Sequence, residues 1–215
     1  MPVRTILNVS HCQYWIAELG AIEAISQHMY YEFNGLISAH ELLAVVMTGT
    51  EFGPVGVTVD WRDSEPALEL DSWDEVVDVS MVFEEEQAVV FGPNDRDGWE
   101  LPALPVGNYR IRAHSRGRDL GHEWRTVEGE PVEEHLLMAW PAPMAPEIRH
   151  KLTDRYGAEI RQRVMPDDVR AAMFDEIRFE PQEPTSLDLP IPNEVSGGVG
   201  GIPAEWPGPA GTIDR

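Results

Sequence analysis

The chain has one cysteine, few cations and no long apolar run, and each scarcity closes a class of function. Cys12 stands alone among 215 residues, so no intramolecular disulfide can form and a stapled secreted scaffold is excluded. Sixteen Lys and Arg face 38 Asp and Glu, a formal charge of −22 with a pI near 4.5. Such a charge repels phosphate backbones and anionic lipid, which argues against direct binding of nucleic acid or membranes. No window approaches the roughly eighteen apolar residues of a membrane-spanning helix. The opening MPVRTILNVSHCQYW carries no secretory pattern, so the expected compartment is the cytoplasm.

Chemical signatures are equally scarce. HELLA, starting at His40, has Ala44 where the zinc motif HExxH needs its second histidine. His11 and Cys12 are adjacent, and neighbours in a strand face opposite ways, so an activated thiol pair would need a break in the strand there, and a buried, inert cysteine is the expectation. In GPNDRDGWE, Asp95, Asp97 and Gly98 follow the order of a calcium loop, but the first and twelfth positions fall on Pro93 and Leu104, which lack the needed carboxylate, so a hairpin turn is the expectation and weak calcium binding near Asp95 and Asp97 a side reading. GGVGG lacks a following helix and lysine, and GxSxG does not occur. The expectation is a non-enzymatic protein with no cofactor.

What is present is two-residue alternation. Val55, Val57, Val59 and Trp61 share one face of a strand, as do Val77, Val79, Met81 and Phe83, and as do Tyr109, Ile111 and Ala113. Further strands are expected at 5–16, 42–49, 87–92 and 133–140, separated by Gly, Pro, Asn and Asp clusters. Seven such segments predict a mainly β domain, an antiparallel β-sandwich, over residues 1–143. Leu19, Ile22, Ile25 and Met29 predict a short helix within 17–33. Ile148, Leu152, Tyr156 and Ile160 predict a helical extension over 144–179, with a second helix starting near Pro166. Residues 180–215 are dense in Pro and Gly and predict an extended tail.

Charge is concentrated beside the strands. Between residues 60 and 100 only Arg62 and Arg96 are basic, while the acids include Asp60, Asp63, Glu65, Glu69, Asp71, Asp74, Asp78, Glu84, Glu85, Glu86, Asp95 and Asp97. Strand alternation places Asp78 and Glu84 outward, opposite the outward Arg110, Arg112 and Arg116 of a neighbouring strand. Crowded carboxylates repel one another, and a basic protein partner relieves that repulsion on binding. Trp73 and Trp99 lie among the acids and Trp206 lies in the tail, the residue type that anchors interfaces. These fifteen residues are the candidate partner-binding set. A second reading is an adaptor that engages its partner through the C-terminal tail, the charge then serving solubility.

The segments SHCQYWI, SWDEVVDVSMVF and LPALPVGNYRIRAHSRGRD resemble small acidic β-sandwich proteins common in actinobacteria. Through the Leu-Pro-x-Gly-x-Tyr turn into its late strand, the chain is also distantly similar to the competence nuclease-inhibitor family. The resemblance covers roughly residues 5–140 and implies a β-sandwich that inhibits a nuclease or other toxin by protein binding. It carries over no inhibitory residue.

Overall fold

The computed structural model describes residues 2–18, 34–40, 42–93 and 98–162. They lie in a unit spanning residues 1–167. The helix expected within 17–33, the one near Pro166 and the tail with Trp206 fall outside the described residues, as do Asp95 and Asp97.

Among the described residues, eleven strands and two short helices follow one another as β1 (Val3–Ser10), β2 (Gln13–Glu18), β3 (Ile37–His40), β4 (Leu43–Met47), β5 (Phe52–Trp61), β6 (Glu75–Phe83), β7 (Ala88–Phe91), β8 (Trp99–Glu100), β9 (Gly107–Arg116), α1 (Arg118–Trp124), β10 (Glu134–Pro141), β11 (Ile148–Leu152) and α2 (Arg155–Gln162). The chain is mainly β, as expected. All eleven strands share one hydrogen-bonded network, ordered β11-β6-β9-β10-β5-β1-β2-β4-β3, with β7 pairing with β2 and β8. The architecture is thus a curled half-barrel rather than two clearly separate layers. One pair, β5 with β10, is parallel; the other pairings are antiparallel.

Alternation sets the concave core. Val55, Val57 and Val59 of β5, Val77, Val79, Met81 and Phe83 of β6, and Ile111 and Ala113 of β9 are all buried in one cluster with Leu7, Ile16, Val46 and Leu137. Each aliphatic side chain of this kind contributes about 1.5–3 kcal/mol when fully buried. Trp61 meets Phe83 and Tyr109 edge-on at 5.9 and 6.3 Å and closes one end of the cluster.

Local geometry departs from the sequence pattern at three places. The single strand expected at 5–16 is a hairpin: His11 and Cys12 both have φ of 58° and form its turn, a role usually taken by Asn-Gly. The helix expected from Ile148 begins only at Arg155, where the Asp154 carboxylate caps it by accepting the Gly157 N–H at 2.7 Å. Residues 148–152 instead form β11 against β6. α1, with glycines on both sides of its first turn, has no counterpart in the expected elements. Gly117 precedes it at φ 80°, a conformation a side chain would strain, and a Cβ there would collide with the Val132 carbonyl.

A buried ionic cluster ties these late elements to the sheet. Glu75 of β6 meets Arg118 of α1 at 3.4 Å and Arg161 of α2 at 2.8 Å. Arg118 also approaches Asp154 at 3.3 Å and donates to the Gly35 carbonyl at 2.7 Å. Burial pushes the Glu75 carboxyl up to about 7, against the pull of Arg118 and with the help of Asp154. The folded protein therefore holds a proton that the unfolded chain releases near the ordinary glutamate value. The stability this contributes is present in full below that value and is lost as pH rises through about 7. We expect the urea midpoint of the protein to fall between pH 5 and pH 8 by the equivalent of on the order of 2–3 kcal/mol, and Glu75→Gln to flatten that fall. An unchanged slope in the variant would contradict the assignment.

No helix among the described residues is long and apolar enough to cross a membrane.

Candidate functional site

Residues 62–74 leave β5 at Trp61 and cross the outer face of β6, β9 and β10 before entering β6 at Glu75. The outer positions of β9 are Arg110, Arg112 and His114, which alternation alone places in solvent. All three are buried, at 5%, 1% and 1% exposure, because the acidic loop and the segment 142–150 lie over them. The expectation that Arg110, Arg112 and Asp78 are exposed is therefore corrected: they form the floor beneath the loop.

Arg112 is the clamp. Its Nε and Nη2 donate to the two oxygens of Asp78 at 2.7 and 3.0 Å, its Nη2 reaches Glu65 at 3.0 Å, and its Nη1 donates to the Pro66 carbonyl at 3.1 Å. The guanidinium also lies 5.1 Å from the Trp140 ring centroid. His150 stands 3.0 Å from the same Asp78 carboxylate. Burial alone raises the Asp78 carboxyl, but the hydrogen bonds and charges of Arg112 and His150 outweigh it and hold it below the usual range. Arg110 completes the floor by donating to Ser80 Oγ and to the carbonyls of Ala145 and Pro146.

The far end of the loop is held by other cations. Lys151, the only lysine in the chain, donates to the carbonyls of Leu70 and Trp73 at 3.0 and 2.6 Å. Arg116 stacks on the Trp73 ring at 5.1 Å, and the same ring meets His114 at 5.3 Å. Asp74 accepts the Gly117 N–H at 3.0 Å and bonds Ser115 and Thr153 through its backbone. The loop is thus fixed by cations acting on its carbonyls, its ring and the Glu65 carboxylate, and by the Gly117 N–H on the Asp74 carboxylate. Charge is partly sorted as a result: Arg112 is buried, Lys151 half-buried and Arg116 exposed at the loop's edge, while Asp63, Glu69 and Asp71 are exposed and make no ion pair among the described residues.

The remaining candidates divide by position. Asp60 is buried and paired with Arg62 at 2.8 Å. Glu84, Glu85 and Glu86 are exposed in the turn after β6, where the Glu84 and Glu85 N–H groups donate to the buried Glu18 carboxylate. That turn and Asp74 lie beyond opposite ends of the nine-residue β6, which itself spans roughly 26 Å at the usual strand rise. The acids therefore make two separate clusters. Trp73 and Trp99 are half-buried, Trp99 packing against the main core. The anchoring cations Arg112, Arg116 and Lys151 were missed as site residues. A signal was available, since three basic side chains on one strand face need acids over them if that face is to be covered.

Cys12 is half-buried, and burial pushes its thiol up despite a hydrogen bond with Tyr156, which makes it a poor nucleophile. Among the described residues no group of three or more His, Cys, Asp or Glu stands together to hold a metal.

No family model and no curated protein matches the chain. Two solved structures are similar to it in backbone. One is described as crocagin biosynthetic gene J, with 15% identity, a TM-score of 0.46, and coverage of 66% of this chain and 98% of the other. The second is ComJ from Bacillus subtilis, described as the inhibitor of the DNA degrading activity of NucA, with 11% identity, a TM-score of 0.49, and coverage of 65% and 96%. At these identities and TM-scores, what the two proteins do stays with them.

Proposed function

We propose that this chain is a non-enzymatic acidic protein that binds a basic protein through the face covered by residues 62–74, acting as an inhibitor or immunity protein for a nuclease or other toxin. The observation that carries the reading is the sorting of charge in that loop. Carboxylates at Asp63, Glu69 and Asp71 face solvent while buried Arg112, half-buried Lys151 and exposed Arg116 hold the loop against the sheet. A loop already fixed loses little entropy when a partner docks, and its unpaired acids steer a basic partner toward it. A net charge of −22 adds a long-range field of the same sign.

The test uses the tagged protein as bait in extract of its own cell at about 50 mM and about 500 mM salt, where the screening length shrinks to a few ångströms. The expected result is one stoichiometric basic protein retained at low salt, weakened at high salt, and lost from the triple variant D63K/E69K/D71K. That variant touches only exposed side chains, so its melting temperature is expected to stay within a few degrees of the parent. Retention of the same partner by the triple variant would refute the reading.

A further inference from the structure

α1 presses one face onto the sheet and leaves the other open. Arg118 and Gly121 are buried, and a Cβ on Gly121 would stand 2.6 Å from Thr50 Oγ1, so the helix is seated closely on that side. Leu120 and Trp124 are one turn apart, which makes them neighbours on a helix surface, and they are 40% and 53% exposed. The helix stops abruptly after Trp124. Arg125 has φ 60° and ψ −54°, and the Thr126 N–H donates to the Trp124 carbonyl at 2.7 Å, a γ-turn with positive φ. The chain then bonds back to Phe52, and the indole is left open at the helix end.

The surroundings define what fits there. Among the described residues, arginine guanidiniums of the fold itself stack on Trp140, Trp73 and Tyr156, from buried Arg112, exposed Arg116 and buried Arg118. Trp124 has no ring or cation partner among them. The nearby cations are engaged, Arg125 with Glu51 at 2.6 Å and Arg155 with Asp119 at 3.1 Å. Glu123 beside the ring and Glu128 beyond the turn are exposed. The start of α1 abuts the acidic loop through the Gly117 to Asp74 hydrogen bond. A seven-residue helix is about 10 Å long, so the open ring stands within the span of a standard interface of about 800 Å² per partner that includes the loop's end.

We propose that Leu120 and Trp124 form the anchor on which an arginine side chain of the basic partner stacks, the neighbouring carboxylates supplying the complementary charge. This rests on the docking reading above and adds to it a preference for arginine over lysine, since guanidinium is planar, weakly hydrated and stacks on indole.

Fluorescently labelled deca-arginine and deca-lysine, titrated by anisotropy at about 50 mM salt, test it. The parent protein is expected to bind deca-arginine at least about threefold more tightly, in keeping with an exposed cation–π contact. Trp124→Ala should abolish that preference while keeping deca-lysine affinity, and Trp124→Phe should retain part of it. Equal affinity for the two peptides in the parent, or a preference that survives in Trp124→Ala, would overturn the anchor. D63K/E69K/D71K should weaken both peptides and leave their ratio intact, which separates the two readings. If that variant binds as the parent does while the Trp124 dependence holds, the anchor stands and the loop reading fails. Binding of neither peptide overturns both.

Discussion

Replacing Arg112 by methionine is expected to lower the unfolding free energy by about 3–5 kcal/mol, the cost of leaving a buried carboxylate without its partner. Asp78 is 2% exposed and takes two hydrogen bonds from this one guanidinium, and His150 alone does not replace them. The same change frees Glu65 and the Pro66 carbonyl, so the front of the acidic loop loses its tether. Two consequences separate this account from a general packing defect. Residues 63–68 should gain amide hydrogen exchange well before the core strands do. The double variant Arg112→Met with Asp78→Leu should regain a large part of the loss, because removing both charges removes the uncompensated one. The acid limb should also move. In the parent, the depressed Asp78 carboxyl contributes stability that is present above the ordinary aspartate value and is lost as pH falls through its lower folded value. In Arg112→Met the folded value rises with burial, so that acid-side loss should shrink or reverse and the deficit relative to the parent should narrow as pH falls. A urea midpoint within about 1 kcal/mol of the parent would contradict the clamp.

Glu133→Ala is the second large effect, again about 3–5 kcal/mol. The Glu133 carboxylate is fully buried and accepts the Gly49 N–H at 3.1 Å, the Thr50 N–H at 2.9 Å, the Thr50 hydroxyl at 3.0 Å and the His135 Nε2–H at 2.8 Å. His135 in turn accepts the Tyr14 hydroxyl at 3.0 Å, and burial pushes that phenol well above its ordinary value, which keeps it a donor. Alanine leaves two backbone N–H groups, a hydroxyl and a ring nitrogen without an acceptor in the interior. Burial raises the Glu133 carboxyl, but His135, the Thr50 N–H and Arg118 together hold it below the usual range. Its contribution to stability is therefore present at neutral pH and lost as pH falls through that lowered value. Glu133→Ala should accordingly be less sensitive to acid than the parent, and Glu133→Gln, which does not titrate either, should match it in acid sensitivity while falling between the two in stability at neutral pH. Calorimetry across pH 3 to 7 reads all three, and an alanine variant as stable as the parent would remove Glu133 from this account.

The inner face of the sheet was legible because burial on one side imposes a period of two, and Val55 to Trp61, Val77 to Phe83 and Tyr109 to Ala113 show it without interruption. The outer face was not. Whether Arg112 meets water or a carboxylate depends on a loop 47 residues away in sequence, which alternation along one strand does not encode. β11 was misread for a related reason: Ile148 and Leu152 are four apart, a spacing that satisfies both the strand period and the helical turn, and pairing with β6 decides between them. α1 was missed because its apolar residues, Leu120 and Trp124, face out and not in. The concentration of acids in residues 60–100 was plain from composition, and the loop that sorts them was not, since the cations that hold it come from β9 and β11. Asp60 and Asp78 carry the same lesson, two acids identical in kind to Asp63 and Asp71 that the fold uses in internal ion pairs.

The central claim is that a fixed acidic loop is a docking face for a basic protein. The most direct measurement is the association rate constant of the purified complex by stopped flow, from about 20 to about 500 mM ionic strength, for the parent and for D63K/E69K/D71K. The account predicts a rate that falls at least about tenfold with salt in the parent and is slower and nearly salt-independent in the variant. Equal rates with equal salt dependence for the two proteins would contradict it.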